Sequence, residues 1–233
     1  MMMEMPPTNL TPEQFAELRS FNSPTISNAI ETFDVRPRGE GCTDGRIRCL
    51  FPELGVVVAH ACNAAIHSAQ PGAPKRKINR KDYWAWTREM PDPKITVIQD
   101  LGETAAGAYW GEVNSNIHRS LGSLGVITNG TVRDLDEVRP LGFHLFAGAV
   151  TVSHAYAHLE DFNCPVRIFG MTVNPGDLIH ADKHGAVIIP SDIAHLVADA
   201  ARKVEAAERP VIDLCKSANF DLEMLDSLVA PKY

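Results

Sequence analysis

The chain carries no excess of positive charge: 22 Lys and Arg stand against 29 Asp and Glu, a formal net charge of -7. Phosphate binding needs a concentrated basic face, so this balance argues against a nucleic-acid partner. One short basic cluster, "KRKINRK" at Lys75–Lys81, is the exception. With no comparable stripe elsewhere, it reads as a solvated loop. Cysteine is scarce as well. Cys42, Cys49, Cys62, Cys164 and Cys215 make an odd number with no Cys-x-x-Cys pair, which speaks for reduced thiols rather than a disulfide framework. No run approaches the roughly 18 uninterrupted apolar residues of a membrane span. "MMMEMPPTNL" has neither the basic region nor the apolar segment of a signal peptide. A GxSxG elbow, a P-loop and a dinucleotide fingerprint are all missing. The expectation is a soluble, cytoplasmic protein with no nucleic-acid or membrane partner.

What is present suits one domain. Of 233 residues, 45% are hydrophobic and 22% charged, enough to bury a sizeable core, with helices appended at the ends. "LTPEQFAELRSF" predicts a helix with Thr11 as cap, Pro12 in the first turn and Gln14 closing a capping box. "NSPTISNAIETF" predicts a second, with Ser23 and Pro24 in the same parts. "ELGVVVAHA" (Glu53–Ala61) is a strand. From about Gln70 to Pro93 the pattern dissolves around "DYWAW" into a long excursion or lid.

The central region is better ordered. "KITVIQD" (Lys94–Asp100) is a strand and "LGETAAGAYW" a loop with Gly102 and Gly107. "GEVNSNIHRSLG" is a helix with Val113, Ile117 and Leu121 at helical spacing and Gly122 as its stop. "LGVIT" (Leu124–Thr128) is the next strand. The simplest assembly is a right-handed crossover between parallel strands. Further strands follow in "HLFAGAVTV", "CPVRIFG", "DLIHAD" and "AVIIP", the last two forming a hairpin. "SDIAHLVADAARKVEAAER" is an amphipathic helix capped by Ser191, with Ile193, Leu196, Val197, Ala200 and Val204 on one side. A last helix covers about Asp221–Val229.

Such a crossover brings two polar features to one end of the sheet. The helix N-terminus at Gly111–Glu112 offers free N–H groups to an anion. Arg133 and Asp134 stand just past the neighbouring strand, where ligands of open α/β sheets sit. There the arginine can take an oxygen and Asp134 can bind a cation. A structural reading accounts for the same residues. Asp134 followed by Glu137 in "DLDE" is a capping box, Arg133 can pair with a nearby carboxylate, and Glu112 in a first turn needs only the helix dipole. The pattern permits a site without requiring one, and the two readings are compatible. His154 and His158, four apart, could share a helix face as metal ligands, but no third ligand has fixed spacing. Asp182, Lys183 and His184 sit in a turn where a structural role is favoured.

The ordered set "GEVNSN…GVITNGTVRDLDEV…PVRIFGMTVNPGDLIHADKHGAVIIP" resembles the RraA-like family, which includes 4-hydroxy-4-methyl-2-oxoglutarate aldolases. The likeness runs from about Ser23 into the C-terminal helices. It implies an α/β, three-layer β/β/α domain of the swivelling type, with flanking N- and C-terminal helices. One domain would span residues 1–233, with a core at about 23–209 and a C-terminal helical extension at 210–233. It implies homotrimers or homohexamers, magnesium or manganese, and 2-oxo acid substrates. Carried across by position, Gly111, Glu112, Val113 and Asn114 would hold the substrate carboxylate. Arg133 would bind the 2-oxo acid and stabilise its enolate. Asp134 would ligate the metal, with Glu112 reaching its water shell. A further acid from a neighbouring subunit would correspond to Glu208 or Glu205.

The activity so implied is a metal-dependent aldolase that cleaves a 4-hydroxy-2-oxo acid to pyruvate, with oxaloacetate decarboxylation sharing the same enolate. Some family members lack the aspartate and act as regulatory binding proteins. This chain keeps Asp134, which favours an enzyme. The alternatives are that regulatory role, or the same site acting on another carboxylate or sugar acid. Asn129 and Asn28 replace aspartates common in the family, Tyr109 and Trp110 make the loop bulkier, and the excursion is longer than the family's.

Overall fold

Thr11 does what its position predicts: its hydroxyl accepts from the Gln14 amide, the Gln14 side chain returns a bond to the Thr11 amide, and Pro12 opens α1 (Pro12–Arg19). The structure, a computed structural model, describes residues 10–72, 78–103 and 106–229. The "MMMEMPPTN" stretch, Lys75–Lys77 of the basic cluster and two residues of the "LGETAAGAYW" loop lie outside them. The other helices are α2 (Ser23–Glu31), α3 (Arg80–Glu89), α4 (Glu112–Ser120), α5 (Leu135–Val138), α6 (Val197–Lys216) and α7 (Leu222–Val229). The strands are β1 (Arg48–Cys49), β2 (Val57–His67), β3 (Lys94–Asp100), β4 (Ala108–Trp110), β5 (Ser123–Thr128), β6 (Thr131–Val132) and β7 (His144–Ala147). After them come β8 (Ala149–Val150), β9 (His158–Phe162), β10 (Val166–Ile168), β11 (Met171–Val173), β12 (Leu178–Asp182) and β13 (Gly185–Ile189).

An eight-stranded sheet runs β1-β7-β5-β3-β2-β12-β13, with β9 also on β2. Its centre, β2, β3, β5 and β7, is parallel, and β12–β13 is the expected antiparallel hairpin. Buried on both faces, these strands carry near-continuous apolar runs. Alternation along each strand divides them between two layers. Val58, Ile98, Val126 and Leu145 face the helices: α1, α2 and α6 pack at one end, with Tyr83 of α3 and Val138 of α5 at the other. Val57, Ala59, Val97, Ile127 and Phe146 face the β10–β11 hairpin through Val166, Ile168, Met171 and Val173. Helices, main sheet and small β layer make the three-layer α/β fold, and β4, β6 and β8 form a separate parallel sheet.

Several expectations are corrected. "DYWAW" belongs to α3, not to a formless excursion: Asn79 caps it, and Tyr83 and Thr87 bury one face. Tyr109 and Trp110 lie in β4, not in a loop. β2 starts at Val57 and runs to His67, because Pro52–Leu54 turns as a 3-10 helix. Asn22, not Ser23, caps α2, its side chain accepting from the Thr25 amide. Ser191 caps nothing on α6, which begins at Val197 after a 3-10 turn over Ala194–Leu196 and runs through Pro210. Leu196 is exposed instead of joining the apolar face.

Ser23 is instead bound to the hairpin. Its amide donates to Asp182 Oδ2 at 3.0 Å and its hydroxyl meets His180 Nδ1 at 2.9 Å. His180 Nε2 lies 3.1 Å from the carbonyls of Leu18 and Phe21, so the neutral ring pins α1 and α2 to β12. Burial pushes its pKa down to about 4, and that of His118, packed on Trp110 and Tyr83, to about 3. Folded-state values below the unfolded one mean that the unfolded chain binds more protons. This stabilisation is complete above about pH 6.5 and is lost as the pH falls towards 4, by roughly 3 kcal/mol for His180 alone. Urea midpoints at pH 7.5, 6 and 4.5 should therefore fall in sequence. A flat profile down to pH 4.5 would contradict the neutral, buried rings.

Candidate functional site

The site is built where β3 and β5 end side by side. Asn129 joins the two ends: its Oδ1 accepts from the Asp100 amide at 2.7 Å and its Nδ2 donates to the Asp100 carbonyl at 2.9 Å. An amide can make both bonds and a carboxylate cannot, which gives this asparagine a physical role. The chain then enters β6, and the Arg133 amide donates to the Trp110 carbonyl at 2.9 Å. Arg133 and Asp134 are thereby set against the turn that starts α4.

Asp134 adopts the left-handed conformation, φ 58° and ψ 46°, which costs an L residue roughly 1–2 kcal/mol and is best tolerated by Asn and Asp. Its side chain makes no cap on α5, so the "DLDE" capping box is not formed. Instead Oδ2 accepts from the Glu112 amide at 3.0 Å. Asp134 does cap a helix, but it is α4, whose N-cap residue Gly111 has no side chain to offer. A Cβ on Gly111 would fall 2.4 Å from that oxygen, so the close approach needs glycine. Arg133 Nε lies 3.6 Å from the same carboxylate, and its Nη1 contacts the Val152 carbonyl at 3.4 Å. Both side chains are about one-third exposed.

These groups open on a cavity of about 380 Å³. Gly111, Arg133 and Asp134 line it with Val113, Asn114 and Ile117 of α4. The apolar residues of α4 therefore point to the cleft and not to the core: Val113 is 71% exposed, while Ser115 and His118 are buried. Asn114 is held by a bond from Nδ2 to the Tyr109 carbonyl. Glu112 contributes its amide, and its own side chain is exposed. Tyr109, Arg80 and Trp84 complete the lining with His154 and two alanines.

Sequence reasoning missed Arg80 and Trp84. The available signal was Asn79 as a cap, with Arg80 and Trp84 four apart on the α3 it opens. His154 lines the cleft, but it lies in a turn. His158 starts β9, bonded to Glu160 at 2.7 Å and stacked on His67. The two histidines therefore share no helix face. Asp182 serves the backbone, accepting from the amides of Ser23 and His184. Glu205 and Glu208 are exposed on α6 and do not line this cleft of their own chain.

The donor set bears on what the cleft can hold. Among the described residues no three His, Cys, Asp or Glu side chains converge on a metal position, so they form no closed structural site. Asp134 has one oxygen engaged by an amide and a second with no hydrogen bond among the described residues. That fits a hard cation bound through a single carboxylate, with its other positions left to water and ligand oxygens.

A family model described as RraA-like (Aldolase/RraA) matches residues 23–188. Protein DlpA of Legionella pneumophila is 28% identical over 106 residues, which is 45% of this chain and 17% of that protein. A 4-hydroxy-4-methyl-2-oxoglutarate aldolase of Thermus thermophilus is 31% identical over 70 residues, 30% of this chain and 43% of the relative. The chain thus spans less than half the length of these two relatives. Among solved structures, RraAS2 of Streptomyces coelicolor, described as an unusual member of the RNase ES inhibitor RraA protein family, superposes with a TM-score of 0.69. It is 22% identical and covers 86% of this chain and 96% of its own. At that identity the likeness establishes the fold.

Proposed function

The chain belongs to the RraA-like family, and we propose that it is a divalent-metal-dependent lyase that cleaves a 4-hydroxy-2-oxo acid to pyruvate and also decarboxylates oxaloacetate. One observation carries the reading: a left-handed Asp134 whose carboxylate closes the N-terminus of α4 beside Arg133, at the head of a cavity. The kinship with a named aldolase supports it.

In this reading the first-turn amides of α4 at Val113 and Asn114 take the substrate carboxylate, helped by the helix dipole. Arg133 sits where negative charge grows on the C2 oxygen. As the C3–C4 bond breaks, its electron pair passes into the 2-oxo group to give the pyruvate enolate, while the C4 hydroxyl loses its proton and becomes a carbonyl. Protonation at C3 then completes pyruvate. Glu112 is the group assigned to orient the water that carries the proton. A magnesium or manganese ion held by Asp134 would supply Lewis-acid polarisation of the 2-oxo group. The proposal includes a homotrimer or homohexamer in which Glu208 or Glu205 of α6 serves a neighbouring copy's cleft.

The test is pyruvate release from oxaloacetate and from a panel of 4-hydroxy-2-oxo acids, with magnesium or manganese and then with chelator. Turnover should require the metal. Arg133→Ala should lower kcat/KM by at least about 10²–10³-fold, the usual effect of losing one charge-stabilising donor; retained activity would sink its role. No turnover above the metal-only blank would instead favour another carboxylate substrate, or a protein-binding role such as the inhibitor family of the Streptomyces structure names.

A further inference from the structure

The cleft has an apolar wall that the pyruvate-forming end leaves uncovered. Val113 and Ile117, four apart on α4, share a face, and that face is turned to the cavity. Val113 is 71% exposed there. The inward face of α4 carries Ser115 and His118, both buried. Neither Ser115 Oγ nor His118 Nε2 has a hydrogen-bond partner among the described residues. Burying unpaired polar atoms while apolar side chains meet water is unfavourable on both counts. Burial alone would favour the opposite rotation of this helix. An apolar group bound in the cleft recovers the part of that cost that Val113 and Ile117 carry.

Two aromatic rings continue the wall. Trp84 of α3 and Tyr109 of β4 line the same cavity, and both are only partly buried against the core. The Asn114 side chain ties the Tyr109 carbonyl to α4. Arg80 also reaches this part of the cleft, but it is exposed, and a solvated charge adds little selectivity. At 1.5 Å of rise per residue, Ile117 lies about 6 Å beyond Val113 along the helix. A 2-oxo acid whose carboxylate sits on the first-turn amides, and whose chain follows α4, brings its C4 substituent to this wall. We propose that the substrate carries an aromatic or branched hydrocarbon group on C4, held by Ile117, Trp84 and Tyr109. The fragment released with pyruvate is then an apolar aldehyde or ketone. The inference rests on the 2-oxo acid reading and deepens it by naming the class of tail. It sets this chain apart from the relative named for 4-hydroxy-4-methyl-2-oxoglutarate, a compound whose C4 carries a carboxylate.

Three non-cleavable ligands test it: 2-oxobutanoate, 2-oxoglutarate and 2-oxo-4-phenylbutanoate. They share one four-carbon 2-oxo acid and carry hydrogen, carboxylate or phenyl on C4. Titration calorimetry with magnesium present should show the native protein holding the phenyl ligand tightest, by about 10-fold or more. Trp84→Ala and Ile117→Thr should each lower the preference for phenyl over hydrogen by about 5-fold. Trp84→Phe, which keeps an aromatic ring, should retain most of it. In turnover, 4-hydroxy-2-oxo-4-phenylbutanoate, which splits to pyruvate and benzaldehyde, should exceed 4-hydroxy-2-oxoglutarate in kcat/KM. A native protein that prefers 2-oxoglutarate, or holds the phenyl ligand no tighter than 2-oxobutanoate, overturns the assignment and leaves the 2-oxo acid reading standing. A preference unchanged in both Trp84→Ala and Ile117→Thr does the same. If the native protein binds none of the three and releases no pyruvate in the oxaloacetate assay, the 2-oxo acid reading fails and this inference falls with it.

Discussion

Asp134→Asn is expected to abolish metal-dependent pyruvate release, by about 10³-fold or more, while the fold keeps nearly its native stability. The substitution separates the cap that this side chain makes on α4 from the cation binding proposed for it. Asparagine tolerates the left-handed backbone almost as well as aspartate. Its carbonyl oxygen can still accept from the Glu112 amide, which now donates to Asp134 Oδ2 at 3.0 Å. The cap on α4 therefore survives, and only the negative charge that a cation needs is removed. Asp134→Ala should lose the cap as well, adding about 1 kcal/mol of destabilisation. It keeps a backbone conformation that alanine dislikes. Rates measured across a magnesium or manganese titration, beside urea midpoints for the three proteins, distinguish the cap from the cation binding. An Asn variant with near-native turnover at saturating metal would remove Asp134 from the metal site and return it to capping alone.

The cap that Asp134 makes on α4 marks the limit of what could be read in advance. The ingredients were local and legible: a glycine–acid pair opening a helix, an Arg–Asp pair after a strand, and a spacing that suited a parallel crossover. The parallel β4–β6 pairing, Trp110 beside Val132, then brings Gly111 and Asp134 together. What could not be read was which helix Asp134 would cap. Sequence proximity favours α5, one residue away, but the left-handed φ of 58° turns the carboxylate from α5 to the amide of Glu112, 22 positions back.

Nor does the helical spacing of α4 say which of its faces is buried. Apolar Val113 and Ile117 line a cleft, and polar Ser115 and His118 are buried. His118 keeps Thr96 as a partner at 3.2 Å. Hydrophobic spacing marks the helix but not the side that faces the core when a ligand cavity competes for apolar surface. α3 is hard to read because its buried positions, Tyr83 and Thr87, flank Trp84 and Trp86, which are only partly buried. The amphipathic contrast is blurred, and with it went the one element that adds a second arginine to the site.

Gly111→Ala should be nearly as damaging to activity as the loss of Asp134, although it removes no functional group. Gly111 is extended at φ -154°, so alanine meets no backbone penalty there. The obstacle is space. The new methyl would lie 2.4 Å from Asp134 Oδ2 and 3.1 Å from Arg133 Cγ, and contacts that close force something to move. The carboxylate can turn away, which breaks its bond to the Glu112 amide, or the β6–α5 connection can shift and take Arg133 with it. Either outcome moves the residues assigned to the cation and to the enolate. A displacement of about 1 Å at such a centre can cost about 10²-fold in rate, with a stability loss of about 1 kcal/mol from the weakened cap. Manganese affinity should weaken together with kcat, because the same carboxylate is displaced. Native manganese affinity with lost turnover would place the damage on Arg133 alone. Native values of both would mean that the contact between Asp134 and Gly111 is not the working arrangement of the site.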